Sequence, residues 1–293
     1  GIDVGDRDEW FSRFRTLVTD ERNFFASYNP WLSEMIEYQT GLALPVIRLH
    51  GLYTEAVYMP TRLNEVLVVK GPNICVDPAC LLNRFVWGED YWSRPKAFRA
   101  DPPIGHDDPR VMFFGLDELG GAPYRVLASF RAAVVYPYDV ALAIFYELYS
   151  MGMPLFLPRE DLLPFYVFRG LHSDTHFHHI APGFDPPHNA SPPFVPIFGI
   201  SQWWGAGRTW SDRTDFAQFP HLLRFGAVAE LLAALAEGAT DWGAVSAGMR
   251  AFNEEALARS SVQWAAGVSG ALAAGECRGG DARQCRAEQR RKK

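Results

Sequence analysis

Two carboxylates carry the most specific spacing in the chain. Asp139 and Glu147 stand eight positions apart in P-Y-D-V-A-L-A-I-F-Y-E-L-Y-S. On a helix that interval is about 800° of rotation, or about 80° beyond whole turns, with ~12 Å of rise. The pair need not touch: one acid can meet a ligand at the helix mouth while the other meets the same ligand further along. Asp139 suits an N-cap, and the amides from about Val140 to Leu142 would then point out of the helix end as an anion site fit for a pyrophosphate. Glu147 lies among Phe145, Tyr146, Leu148 and Tyr149, where an idle carboxylate is uncommon. Lys70 closes an apolar run. Each residue also has a plainer reading: a cap, a salt-bridged helix residue and a solvated strand-end lysine.

A second group of reactive side chains sits in H-S-D-T-H-F-H-H, with His172, Asp174, His176, His178 and His179, followed by His188. Imidazoles so close to a carboxylate can hold zinc or iron, and a metal-dependent hydrolase using His172–His179 is one reading. No H-E-x-x-H or comparable zinc spacing is present, so no metal is expected. An acceptor-facing loop and a plain polar loop are the other two readings. Asp6-Arg7-Asp8 matches a metal-binding D-x-D string but falls in a charged helical start, and His106-Asp107-Asp108 reads as a turn. Trp203, Trp204 and Trp210 suit either stacking on sugar rings or core packing. Cys75, Cys80, Cys277 and Cys285 form no CxxC, which indicates neither zinc nor a disulfide framework. There is no G-x-S-x-G nucleophile elbow and no G-x-x-x-x-G-K-[ST] phosphate loop.

These groups need elements to position them. The chain has 293 residues, 48% of them hydrophobic, enough for a sizeable core. Its net charge of −6 argues against a protein that coats nucleic acid. No uncharged apolar run approaches the ~20 residues of a bilayer span. The cysteines leave both the cytoplasm and an ER or Golgi lumen open. The chain starts at Gly1 rather than Met, so its native start is expected upstream.

The patterns predict helices over 8–19 and 30–39, the latter stopped by Gly41. Strands are expected at 44–49 and 65–71, then a short helix over 77–86. From 110 to 158 the texture is clearest: R-V-M-F-F-G, a helical stretch over 123–131, A-A-V-V-Y, a helix from Asp139 through Met151, and P-L-F-L-P. Gly152 and Pro154 end that last helix. Short apolar strands without alternation, separated by helices, signal an α/β fold with a doubly wound parallel sheet. Residues 166–220 lose periodicity and read as an irregular insertion. A strand at 220–225 and helices over 227–237 and 242–258 follow. The end is Gly/Ala-rich and then basic, with seven Lys/Arg against three acids from Glu276 to Lys293, a net +4. A disordered basic tail over 263–293 is therefore expected.

The string V-M-F-F-G … A-A-V-V-Y-P-Y-D-V-A-L-A-I-F-Y-E-L-Y-S-M-G-M-P-L-F-L-P resembles the donor-binding, carboxyl-terminal half of GT-B nucleotide-sugar glycosyltransferases of the group 1 type. The resemblance implies a Rossmann-like domain over 45–262, preceded by residues 1–44 as a helical lead-in or the end of an acceptor-side domain. It implies a nucleotide-sugar co-substrate with no further cofactor, and a glycan, protein or lipid acceptor. It gives Asp139 the transferred sugar and Glu147 the nucleotide ribose, with Tyr138, Val140 and Ala141 beside them. Gly115-Leu116 falls near the base, and Lys70 near the phosphates. No catalytic base is implied within this chain. Asp139 stands where the family carries Glu, and Val140-Ala141-Leu142 replaces its Gly-rich turn. Two complete Rossmann-like domains need more than 293 residues, so a carboxyl-terminal piece or a shortened member is expected, with an inactive nucleotide-sugar- or glycan-binding relative as the alternative.

Overall fold

In the computed structural model, residues 6–70, 77–88, 111–166, 180–186, 208, 211–236 and 238–276 are described. They fall into two units, one formed by the described residues before Leu49, those over 180–186 and those after Glu254, the other by the rest.

The larger unit is α/β and Rossmann-like. Strands β1 (Arg62–Val69), β2 (Met112–Gly115), β3 (Phe130–Val135), β4 (Leu155–Pro158) and β5 (Leu223–Phe225) form one sheet in the order β2-β1-β3-β4-β5. Every neighbouring pair is parallel, with Val66 opposite Phe113 on one side and Ala132 on the other. Parallel neighbours require crossovers, and the helices doing this bury both faces. Val66, Val68, Ala132, Val134 and Phe156 form a core with Leu82 of α3 (Pro78–Trp87) and with Leu231 and Leu235 of a later helix, Val228–Leu235. By the period of two, Leu67, Val69, Ala133 and Val135 point the other way, and all four are fully buried.

Between β2 and β3 comes the single-turn helix α4 (Tyr124–Leu127), and between β3 and β4 the helix α5 (Ala143–Ser150). Phe145 and Tyr149 of α5 stack edge-on with Phe216 and Phe219 at 4.7–5.3 Å. Phe216 belongs to α6 (Asp215–Gln218), so the end of the stretch read as irregular is core. The helices α7 (Val228–Leu235) and α8 (Trp242–Glu276) complete the order.

Sheet edges are a liability unless covered, and β2 is covered by side chains of α3. Asn83, fully buried, accepts from Phe113 N at 2.8 Å and donates its Nδ2 to Phe113 O at 2.7 Å. One helical turn on, Trp87 Nε1 donates to Val111 O at 3.0 Å. A side-chain amide thus takes up the outward groups of β2, which pairs with no further strand among the described residues.

In the smaller unit, α1 (Arg7–Thr19) and α2 (Pro30–Thr40) form as expected. Asn29 caps α2 by accepting from Leu32 N at 2.7 Å, and Gly41 ends it at φ 70°. The strand expected over 44–49 does not form. Val46 makes only an isolated parallel bridge with Ser27, because Pro45 has no N–H to extend a ladder. The expected disordered tail is also corrected over 263–276, where α8 continues to Glu276. Alanines favour the helix, and Trp264 packs edge-on against Phe24 at 5.3 Å, with Gly267 leaving room for the Phe24 ring. Residues beyond Glu276 lie outside the described residues.

Asn83→Ala leaves two buried main-chain groups without partners and should cost roughly 2–4 kcal/mol. Urea unfolding checks this; an unchanged midpoint would show that the Asn83 bridge contributes nothing to holding the edge.

Candidate functional site

In an open parallel sheet, ligands bind outside the carboxyl ends of the strands, at the point where the winding reverses. Here β1 leads outward to β2 while β3 leads the other way to β4, so the reversal lies between β1 and β3. The two strands are joined at that end by Tyr136 N donating to Val69 O at 2.9 Å. Lys70 leaves β1 there, largely buried, with Nζ 3.5 Å from Asp117 Oδ2. Asp117 belongs to the single 3-10 turn Leu116–Leu119 that leaves β2 at Gly115. Gly115 N donates to Glu118 Oε2 at 3.0 Å, and a Cβ on Gly115 would stand 2.6 Å from Asp117 Oδ1. Lys70 and the Gly115-Leu116 turn are thus brought together.

The third piece of that edge is the chain leaving β3 through Tyr136, Tyr138 and Asp139. Tyr136 is buried against Tyr166, ring centroids 5.5 Å apart, and burial first, then Tyr166, pushes its phenol well up. Asp139 is exposed but does not head the helix. Its Oδ1 accepts from Val140 N at 2.7 Å, the next residue rather than the second or third helical one. Leu142 takes the N-cap place with extended dihedrals, and α5 begins at Ala143. Val140 and Leu142 point into the core, and Ala141 is half-buried. The anion site expected on the Val140–Leu142 amides is therefore corrected: the Val140 amide is taken by Asp139, and the helix end begins with the amides of Ala143 and Ile144.

Glu147 sits on the second turn of α5 and is 8% exposed. Its Oε1 accepts from the Tyr53 hydroxyl, and the Tyr124 hydroxyl faces the same carboxylate. The Tyr53 and Tyr124 rings meet edge-on at 6.0 Å. Gly51, just before the 3-10 turn Leu52–Thr54, donates its N–H to Ser150 Oγ at 2.9 Å. A Cβ on Gly51 would fall 2.7 Å from Glu147 Cα, so glycine permits this approach. The two acids therefore have different settings. Asp139 belongs to the chain leaving β3, whereas Glu147 meets residues of the chain leading into β1 and β3.

The far side of the carboxyl edge carries further cations. Arg224 of β5 pairs with Glu160 at 3.0 Å and donates to the carbonyls of Pro158 and Phe216. Burial lowers its pKa against the opposing pull of Glu160. Arg159, immediately after β4, donates its N–H to Phe225 O at 2.9 Å and is half-exposed, 3.4 Å from Asp161. Tyr53, Asp117 and Arg159 were not singled out from the sequence. Of these, Arg159 had a signal, as the first charged residue after an apolar strand.

The histidines over 172–179, His188, the His106 turn and the tryptophans at 203, 204 and 210 lie outside the described residues. Asp8 is the second residue of α1, 3.4 Å from Arg7 Nε. Among the described residues no group of three or more His, Cys, Asp or Glu side chains is placed to hold a metal ion, and no helix is long and apolar enough to cross a membrane. Comparison with protein-family models, with curated proteins and with solved structures gives no match.

Two outcomes follow from the Glu147 setting. Gly51→Ala forces backbone against backbone and should cost about 1–3 kcal/mol, read as a lower urea midpoint; wild-type stability would show that the 3-10 turn yields freely. The bond to Glu147 raises the Tyr53 pKa more than burial or charge does. Its contribution is thus fully present below the ordinary phenol value and is lost only as pH rises through the raised one. Glu147→Ala removes the acceptor and should lower the pH at which one phenol titrates, seen by ultraviolet absorbance, and an unchanged curve would contradict the bond.

Proposed function

We propose that the chain binds a nucleotide-sugar donor at the carboxyl edge of its sheet and transfers the sugar to a glycan, protein or lipid acceptor, as the donor-binding part of a GT-B-type glycosyltransferase. The observation that carries this reading is the strand order. It brings Lys70, Gly115-Leu116 and Tyr138-Asp139, all singled out from sequence, to the one edge where such sheets take ligands. In the transfer the anomeric carbon–oxygen bond breaks, the electron pair leaves with the diphosphate, and the acceptor oxygen forms the new bond and gives up its proton. Lys70 and the first amides of α5 supply positive charge for the departing diphosphate, and Arg159 adds a further cation along the same edge. Asp117 holds Lys70 in place. Glu147 accepts from Tyr53 on the side where the chain enters β1 and β3, so the donor's ribose is not assigned to it.

That occupied carboxylate also favours a second reading, a relative that binds a nucleotide sugar or glycan without turnover. Release of free sugar or transfer to an acceptor by the purified chain would separate the two.

A thermal-shift screen against nucleoside diphosphate sugars should show a rise in Tm with at least one member, since ligand binding to the native state stabilises it. Lys70→Ala should weaken that binding by about ten- to a hundredfold, corresponding to roughly 1.5–3 kcal/mol for a charged hydrogen bond. No shift across the panel, or a Lys70→Ala variant with wild-type affinity, would overturn the reading.

A further inference from the structure

The carboxyl-terminal half of α8 shows water a surface without charge. Between Arg259 and Glu276 there is no Asp, Glu, Lys, Arg or His, so residues 260–275 make about 24 Å of uncharged helix. Its inward side is taken: Ser260 is buried, Phe24 lies over Gly267, and the same ring meets Trp264 edge-on. Its outward side is apolar. Trp264, Val268 and Leu272 follow at i, i+4 and i+8 along one stripe and are 48%, 45% and 65% exposed. Val262, further round, is 71% exposed, and the positions between are held by Ser261, Ala265 and Ser269. One turn earlier the same helix meets water in the ordinary way, with the exposed Glu255–Arg259 ion pair. Single exposed apolar side chains need no explanation, whereas a contiguous uncharged patch marks a surface that something covers.

The sequence that follows the helix has the opposite character. From Glu276 to Lys293 it carries seven Lys/Arg against three acids, a net +4, with Arg290-Arg291-Lys292-Lys293 as four cations in a row. An apolar stripe headed by a tryptophan and joined directly to a basic cluster has a natural counterpart in an anionic bilayer surface. The headgroup boundary takes the stripe, and the lipid phosphates attract the cations. Nucleic acid would engage the cations and leave the stripe in water. A second copy of the chain would cover the stripe but bring two basic clusters into one complex. Among the described residues no helix is long and apolar enough to cross a bilayer, so the fit is to a helix lying in the interface rather than through it.

We propose that this half of α8 docks on an anionic lipid surface, with Trp264, Val268 and Leu272 entering the headgroup boundary and the positive charge beyond Glu276 drawing the chain to it. Sedimentation of the full chain with vesicles is the test, using phosphatidylcholine alone and phosphatidylcholine with added phosphatidylglycerol. Binding is expected to the anionic vesicles and should weaken with salt, which shortens the screening length. Val268→Ser/Leu272→Ser should raise the lipid concentration for half-maximal binding about tenfold or more, and so, separately, should replacing residues 290–293 by Gln. Should the first variant fail to fold, hydrogen exchange of the wild-type chain reads the same contact: anionic vesicles should slow exchange over 261–275 more than over α7. Absence of binding, equal binding to phosphatidylcholine alone, wild-type affinity in either folded variant, or unchanged exchange over 261–275 would each overturn the proposal. So would a duplex oligonucleotide binding where vesicles do not, or a dimer by light scattering that Val268→Ser/Leu272→Ser dissociates.

Discussion

Two of the three inner strands, β1 and β3, run parallel to each other and are sealed on both faces, and the rest of the larger unit follows from that. Val66 through Val69 and Ala132 through Val135 have essentially no exposure to water. Strands in that position cannot be joined by a tight turn, so the chain must leave each one at its carboxyl end and travel back along a face. The loops that leave β1, β2 and β3 are thereby gathered at one edge, whatever their sequences. Lys70, the Gly115 turn and the Tyr138-Asp139 segment meet there because the sheet forces it.

Positions next to this framework show how sequence serves it. The outer strand β2 has only four residues, and Asn83 and Trp87 of α3 complete its hydrogen bonding from the open side. On the opposite face, α5 meets Phe216 and Phe219 through aromatic edges, and the same helix presents Glu147 outward to Tyr53. A buried carboxylate needs donors, and here two phenols supply them. The acid is thus a structural joint between α5 and the chain approaching β1.

Much of the sheet was legible in the sequence because parallel, doubly buried strands write themselves as short apolar runs. V-M-F-F-G, A-A-V-V and L-F-L-P all became strands of a parallel sheet, whereas their order in it had no signal in the sequence. The segment around Pro45 misled because a single bridge has no periodicity to distinguish it from a strand. The start of α5 misled for a different reason: Asp139 has the side chain of a cap but bonds the adjacent amide, and only the backbone dihedrals at Leu142 show where the helix begins. The length of α8 was hidden because its Gly/Ala-rich half is held by a distant contact, Phe24 on Trp264 and Gly267. Of the site, the residues at strand ends could be read, whereas Asp117 beside Lys70 and Tyr53 on Glu147 depend on pairings across 47 and 94 positions. Such pairings leave no local trace.

As proposed, a diphosphate docks where β1, β2 and β3 release the chain. A crystal structure of the protein soaked with a nucleoside diphosphate tests it most directly. Phosphate density is expected within hydrogen-bond distance of Lys70 Nζ or of the Ala143 and Ile144 amides. Full occupancy of the nucleotide anywhere else, with that edge left to solvent, would contradict it.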